Sequence, residues 1–250
     1  NINQWNWNFG DTNTDNNQSP INTYATFDTY TVALSVTDDN GCKHDTTINV
    51  VVHPLPIPDF TFDTVCFGAT TTFQDLSTID ALGANINQWN WDFDDAGNTN
   101  NNQDPTYQFT EAGVFNVTLS VTDQNGCQDD ISQNVTIDSL PYVNFAVNDV
   151  CLNETTTFTD LSNGTSGNIT DWNWKFGDGN SDNNQNTTHT YSASDEYLVT
   201  LTIIDDNGCE NSTSQPDTVF SLPTADFSFN EACLRSEEHT SELQSPDHLV

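Results

Sequence analysis

One short stretch, Trp-Asn-Trp-Asn-Phe-Gly-Asp, occurs three times with small changes and constrains the fold more than any other feature. The copies begin at Trp5, Trp89 and Trp172, and together they hold all six tryptophans of the chain. An Asn-Gly-Cys triplet, a second cysteine and a Leu-Pro pair also recur, each at spacings of 85 and then 82 residues. The chain is therefore a tandem array. Its unit of about 83 residues is the size of a small domain with its own core.

Within each copy, aromatic side chains alternate with polar ones, which is the pattern of a half-buried strand. We therefore expect the second tryptophan and the phenylalanine of each copy to anchor the core of a sandwich. These predicted anchors are Trp7, Phe9, Trp91, Phe93, Trp174 and Phe176. Stacking on sugars is the alternative role for the tryptophans, but they share a face with a core phenylalanine, so the core role is favoured.

The rest of each unit also indicates strands. In the second unit the predicted strands cover residues 59–64, 71–76, 89–93, 115–121 and 135–137. The longest of them leads into Asn125-Gly126, and an Asn-Gly pair favours a type I′ hairpin turn. No window of ten residues has a helical period with caps. The sequence predicts an all-β chain of short strands at the spacing of a sandwich.

Composition excludes several classes of function. The chain has 37 acidic and 3 basic residues and a formal charge of -34, so its surface repels phosphate backbones and anionic headgroups. We expect no binding to nucleic acid and no membrane insertion. Six cysteines at positions fixed by the repeat indicate an oxidising compartment. The chain opens inside a unit, without a starting Met or a signal peptide, and we interpret it as part of a longer exported protein.

The third unit carries motifs that suggest a family. It reads Trp-x-Phe-Gly-Asp-Gly over 174–179, His-Thr-Tyr over 189–191, and a long strand ending in Asp-Asp-Asn-Gly over 197–208. This combination resembles the polycystic-kidney-disease-type (PKD) domain, and the resemblance covers nearly all of residues 1–234. It implies tandem immunoglobulin-like β-sandwiches with an extracellular role in adhesion, spacing or substrate contact. Tandem copies with such cysteines are similar to those of very large bacterial surface proteins. Asp94 and Thr12 replace motif glycines of the family.

The repeat divides the chain into units. We expect a first unit over 1–53 that lacks its N-terminal part, a second over 54–138, a third over 139–220 and the start of a fourth over 221–234. Residues 235–250 do not continue the pattern. With one choice of codons they resemble a translated short-read sequencing adapter, so we exclude this stretch from any functional role.

The sequence offers little for catalysis. No histidine recurs at a repeat position, and no zinc-protease, nucleophile-elbow or phosphate-loop motif is present. We predict a protein without catalytic, cofactor-binding or metal-binding residues. The Asp-rich turns at 38–40 and 205–207 hold oxygen ligands that suit Ca²⁺, but a role as solvated turn formers is the simpler interpretation.

The predicted function is mechanical. We expect a non-enzymatic array at the cell surface or outside the cell, in which units on short proline linkers act as an adhesive stalk or spacer. Its partners would be other domains of the same long chain, with extracellular proteins or glycans as further candidates. The alternative is a set of accessory modules that contact substrate in a secreted polysaccharide- or protein-degrading enzyme.

Three disulfide registers are compatible with the cysteine spacing. The sequential register joins Cys42 to Cys66, Cys127 to Cys151 and Cys209 to Cys233. The intradomain register joins Cys66 to Cys127 and Cys151 to Cys209. In the third register, Cys209 of one unit meets Cys66 of the unit before it. We predict the intradomain pairs, since each would close a loop of roughly 60 residues and constrain the unfolded chain by about 4 kcal/mol.

Overall fold

A computed structural model of the chain describes residues 1–80 and 85–228. The fourth unit beyond residue 228, Cys233 and the adapter-like tail lie outside the described residues. Every regular element among the described residues is a β-strand. They include no helix of the length and apolar character that crossing a membrane requires.

The first unit forms one antiparallel sheet of four strands in the order β2-β1-β3-β4. The strands are β1 (Ile2–Asn8), β2 (Thr14–Asp15), β3 (Asp28–Asp38) and β4 (Lys43–Val52). The repeated aromatic stretch lies in β1, which pairs with the long strand β3, and Trp7 is opposite Leu34.

The second unit is a sandwich of a five-stranded sheet, β11-β10-β13-β14-β7, and a three-stranded sheet, β12-β8-β6. A small pair, β5 and β9, lies beside them. The strands are β5 (Pro56–Ile57), β6 (Phe60–Phe62), β7 (Val65–Cys66), β8 (Thr71–Asp75), β9 (Thr78–Ile79), β10 (Ile86–Asp92), β11 (Thr99–Asn100), β12 (Thr106–Tyr107), β13 (Gly113–Asp123) and β14 (Gln128–Asp138).

The third unit repeats this topology, with sheets β19-β18-β21-β22-β16 and β20-β17-β15. Its strands are β15 (Phe145–Val147), β16 (Val150–Cys151), β17 (Thr156–Asp160), β18 (Ile169–Lys175), β19 (Ser181–Asp182), β20 (Thr187–His189), β21 (Glu196–Asp205) and β22 (Glu210–Phe220). The prediction of tandem all-β sandwiches is confirmed.

An indole lies at the centre of each complete sandwich. Trp91 is fully buried, and its ring centroid lies 5.0 Å from that of Phe60 and 5.4 Å from that of Phe73, both on the facing sheet. In the third unit, Trp174 has the equivalent neighbours at 5.1 and 5.6 Å. The indole N–H of Trp91 donates to the carbonyl of Asn102 at 3.0 Å, so its one polar group is satisfied without water.

The first unit departs from the prediction for Trp7. Phe9 is buried, but Trp7 is only half-buried, although the sequence pattern placed it in a core. The described first unit has a single sheet, so no facing phenylalanine covers the indole. Phe93 and Phe176 are buried beside their tryptophans.

The Asn-Gly turns also differ from the type I′ prediction. That turn needs positive φ at both central residues, but at 125–126 only Gly126 has a positive φ, of 86°. The N–H of Gly126 donates to the carbonyl of Asp123, and the N–H of Asp123 donates to the carbonyl of Cys127. This is a three-residue loop with a glycine in the left-handed region. The extra residue lets the Asp123 carboxylate accept the N–H groups of Asn125 and Cys127.

Replacing Trp91 with Ala should lower the free energy of unfolding of the second unit by about 3–5 kcal/mol, because it leaves a cavity between two sheets. Trp7→Ala is the matched control and should cost much less, since that indole is partly exposed and has no facing sheet. Hydrogen exchange of strand amides reports each unit separately. Equal losses in the two variants would contradict the core role of the second indole.

Candidate functional site at the junction of two units

A disulfide joins the second unit to the third. Cys66 and Cys209 are bonded, with a Cα–Cα distance of 5.5 Å and a sequence separation of 143 residues. This Cα distance is typical of disulfides. The bond closes a loop that includes most of both units. In the chain-entropy estimate, such a loop constrains the unfolded state by about 5 kcal/mol.

Cys66 is held at the end of its unit by a short parallel pairing. Strand β7 lies beside the end of β14, so that Cys66 is opposite Asp138. The N–H of Phe67 then donates to the carbonyl of Asp138 at 2.7 Å. Cys66 therefore lies at the pole of the second unit from which the chain leaves for the third.

Cys209 is held at the tip of the β21–β22 hairpin by a carboxylate. Its backbone N–H donates to Oδ1 of Asp205 at 2.8 Å, and the N–H of Asn207 donates to the same oxygen at 3.0 Å. Both Asp205 and Cys209 are buried. Since the carboxylate holds the backbone of the loop, the Cα–Cβ bond of Cys209 has a fixed direction.

The same cap occurs in the other two units. The N–H groups of Cys42 and then Asn40 lower the pKa of Asp38 below its usual value. At Asp123 burial opposes ionisation, yet the N–H of Cys127 and the amides of Asn125 still lower the pKa. These carboxylates accept hydrogen bonds from the backbone of the loop. No cluster of three metal-binding side chains occurs in residues 1–80 and 85–228.

The linker between the two units is clasped by side chains of the third unit. Oγ1 of Thr165 donates to the carbonyl of Leu140 at 2.7 Å, and Oγ of Ser166 donates to that of Ser139 at 2.9 Å. Nδ2 of Asn211 donates to the carbonyl of Pro141 at 2.9 Å. We call these three contacts the linker clasp. Together with the disulfide, the linker clasp fixes the path of the chain across the junction.

The structure corrects the predicted disulfide register. Cys127 immediately precedes β14, whereas Cys66 pairs with the last residue of that strand. An eleven-residue strand spans roughly 36 Å, far beyond a disulfide. The same separation applies to Cys151 and Cys209, at opposite ends of β22. The intradomain pairs are therefore wrong, and the third register is present. Cys42, Cys127 and Cys151 are free thiols among the described cysteines.

A second recurring carboxylate follows the aromatic stretch and explains part of the family motif. Asp178 accepts a hydrogen bond from Nε2 of His189 at 2.8 Å, with the imidazole stacked on Phe176 at 4.3 Å. Burial raises the pKa of Asp178, but the Asn180 amides and His189 outweigh it and lower the pKa overall. In the second unit Tyr107 takes the place of the histidine and donates to Asp95 at 2.9 Å. His189 thus stabilises a turn. The His-Thr-Tyr motif alone did not reveal that a tyrosine can replace the histidine as the partner of this carboxylate.

The third unit contains a buried carboxyl that the second unit lacks. Asp217 is fully buried and pairs with Tyr197, at the position that Val135 holds opposite Phe115 in the second unit. Neither of its oxygens accepts a hydrogen bond of good geometry from a described residue. Burial, and then repulsion by Asp149, raise its pKa, while the Tyr191 and Thr156 hydroxyls and His189 oppose the shift. Sequence reasoning missed this group, since one Asp on an alternating strand looks exposed.

Comparison with known proteins places these units in a family. A family model described as PKD domain matches residues 1–52, 53–139 and 138–220. Pre-pro-metalloprotease PrtV of Vibrio cholerae is 31% identical over 127 residues, which cover 50% of this chain and 14% of that protein.

Two solved structures are similar to single units. The PKD1 domain of Vibrio anguillarum Epp has 26% identity and a TM-score of 0.32, and covers 34% of this chain and 99% of its own. The PKD1 domain of the Vibrio cholerae metalloprotease PrtV has 29% identity and a TM-score of 0.31. It covers 32% of this chain and 96% of its own.

Replacing Asp217 with Val, the residue of the second unit, should stabilise the third unit by about 1–3 kcal/mol at neutral pH, because an unsatisfied buried group is removed. A carboxyl whose pKa is raised in the folded state costs stability as pH rises above its unfolded value of about 4. The parent third unit should therefore lose stability as pH rises from about 4, and Asp217→Val should not. Hydrogen exchange of the third unit's amides, followed as a function of pH, measures the stability of the parent and of Asp217→Val. Asp130→Val, at an exposed carboxyl, is the control and should leave the dependence unchanged. A parent stability that rises steadily with pH would contradict the assignment.

Proposed function

The chain belongs to the PKD-domain family, and on that basis we propose that it is an extracellular stalk or spacer whose units are linked covalently. PKD domains are non-catalytic modules, and the chain is an array of them. The support for this proposal is the way in which the units are joined. A stalk must keep its modules in line under load and hold a distal module away from its anchor.

The observation that carries this proposal is the disulfide across the junction. A bond within one unit stabilises that unit alone, whereas Cys66–Cys209 ties together two sandwiches that already have separate cores. The linker clasp adds three hydrogen bonds at the same place. Both features limit hinge motion between the units, which a spacer requires and an independent binding module does not.

Charge and redox chemistry support the same function. With a formal charge of -34, the units repel one another, which favours an extended array over a collapsed one. A disulfide of this kind persists in an oxidising environment such as the cell exterior. These properties support placement outside the cell or at its surface.

A second candidate function is an accessory module of a secreted enzyme. It is favoured by the matching segment in a metalloprotease, although that segment is 14% of the relative's length. Each unit also has an open polar groove on the outer face of its long strands. In the second unit it is lined by Gln88, Asn90, Ser120, Thr122 and Gln128. Retention of the chain on an insoluble polysaccharide or a protein substrate, lost on replacing Asn90 and Gln128 with Ala, would favour this role over the stalk.

Pulling a single molecule from its two ends tests the stalk. In the oxidised chain, the 143-residue segment between the bonded cysteines cannot extend even when the units that contain it unfold. We expect Cys209→Ser to release roughly 500 Å of additional length, at about 3.6 Å per residue. Cys42→Ser removes an exposed free thiol and is the matched control, which should extend like the parent. If the parent and Cys209→Ser extend equally, the disulfide bears no load and the proposed role fails.

A further inference from the structure

Cys151 has the same backbone pairing in the third unit that Cys66 has in the second. Strand β16 pairs in parallel with the end of β22, so that Cys151 is opposite Phe220. The N–H of Leu152 donates to the carbonyl of Phe220 at 2.9 Å, as that of Phe67 does to Asp138. A tight turn follows each cysteine, closed by an N–H bond to its own carbonyl at 2.9 Å for Cys151 and 3.0 Å for Cys66. Cys66 is bonded across its junction, and Cys151 is not.

The Asn-Gly-Cys cysteines are equally alike. In all three units the cysteine N–H donates to the capping carboxylate at 2.8 Å. The return bond, from the N–H of the capping residue to the cysteine carbonyl, measures 3.0, 2.9 and 3.1 Å. The second and third units therefore each present one cysteine at each pole, in the same backbone geometry. In the bonded pair, the Asn-Gly-Cys cysteine Cys209 meets Cys66 at the far pole of the unit before it.

From this we propose that Cys151 is a covalent docking site for a further PKD unit, whose Asn-Gly-Cys cysteine bonds to it across the next junction. By the same rule Cys127, an Asn-Gly-Cys cysteine like Cys209, would bond to a cysteine equivalent to Cys66 in a unit that precedes the second. The inference rests on the stalk function and extends it from one joined pair to a continuous array in which every unit is bonded to both neighbours.

The bond forms by thiol–disulfide exchange with a small-molecule disulfide such as oxidised glutathione. The Cys151 thiolate attacks one sulfur of the oxidant, whose S–S bond breaks and releases one thiolate. The thiolate of the docking cysteine then attacks the mixed disulfide and releases the second. Two protein thiols become one disulfide, the oxidant is reduced to two thiols, and the two protons end on those leaving groups.

A duplication within the full chain tests the proposal. Residues 139–220 are inserted a second time directly after Phe220, so that a unit known to form this junction follows Cys151. After oxidation with glutathione, peptide mapping without reduction should find Cys66–Cys209 and, in addition, Cys151 bonded to Cys209 of the inserted copy. The control is the same duplicated chain with Cys151→Ser in the original third unit. In it, Cys209 of the inserted copy should remain an alkylatable thiol.

The outcomes are distinct. If Cys66–Cys209 is intact and both Cys151 and the inserted Cys209 remain alkylatable, the docking site is refuted. If Cys151 pairs instead with Cys127 or Cys42, the proposed partner is wrong. Neither result depends on load, so either can occur while the pulling experiment still supports the stalk. If the inserted unit does not fold, as judged by unprotected strand amides, a second duplication replaces it. Residues 54–138 are then inserted a second time after His53, and the bond tested is the one between Cys127 and Cys66 of the inserted copy.

Discussion

Each sandwich presents its two cysteines at opposite poles, and the rest of the structure depends on this constraint. The distance between the poles is the length of the eleven-residue strand β14 or β22, which no disulfide can bridge. A cysteine at one pole can meet only a cysteine on the facing pole of a neighbouring unit. The caps at Asp123 and Asp205 hold the hairpin cysteines of the two complete units in the same backbone geometry.

The carboxylates show how an acidic chain uses its charge. Asp38, Asp123 and Asp205 accept backbone N–H groups in hairpin loops, and Asp95 and Asp178 do so beside the aromatic stretch. For Asp38, Asp95, Asp123 and Asp178 such bonds favour the ionised form and lower the pKa. Asp217 is the exception, since it is buried among the core residues of one unit without equivalent partners. The repeats therefore share an architecture while differing in how each unit responds to pH.

The aromatic alternation was enough to predict the strands, the sandwich class and the buried indoles of the complete units. Strands β7 and β16 were missed because two residues show no period. They hold Cys66, which is bonded, and Cys151, which is a free thiol. The disulfide register could not be derived from spacing, since all three registers repeat with the same period. It depends on which pole each cysteine occupies, and this follows from pairings such as Cys66 with Asp138. The half-exposure of Trp7 likewise depends on a facing sheet and not on local sequence.

The central claim is that the second and third units move as one body because the disulfide joins them and the linker clasp holds residues 139–141 against the third unit. Residual dipolar couplings of the oxidised chain test this directly, since the amides of each unit report an alignment tensor for that unit alone. The account predicts tensors of equal magnitude and common orientation for the two units. It also predicts that they diverge when Cys66 and Cys209 are both replaced by Ser. Two independent tensors in the oxidised chain, with the Cys66–Cys209 bond intact, would contradict it.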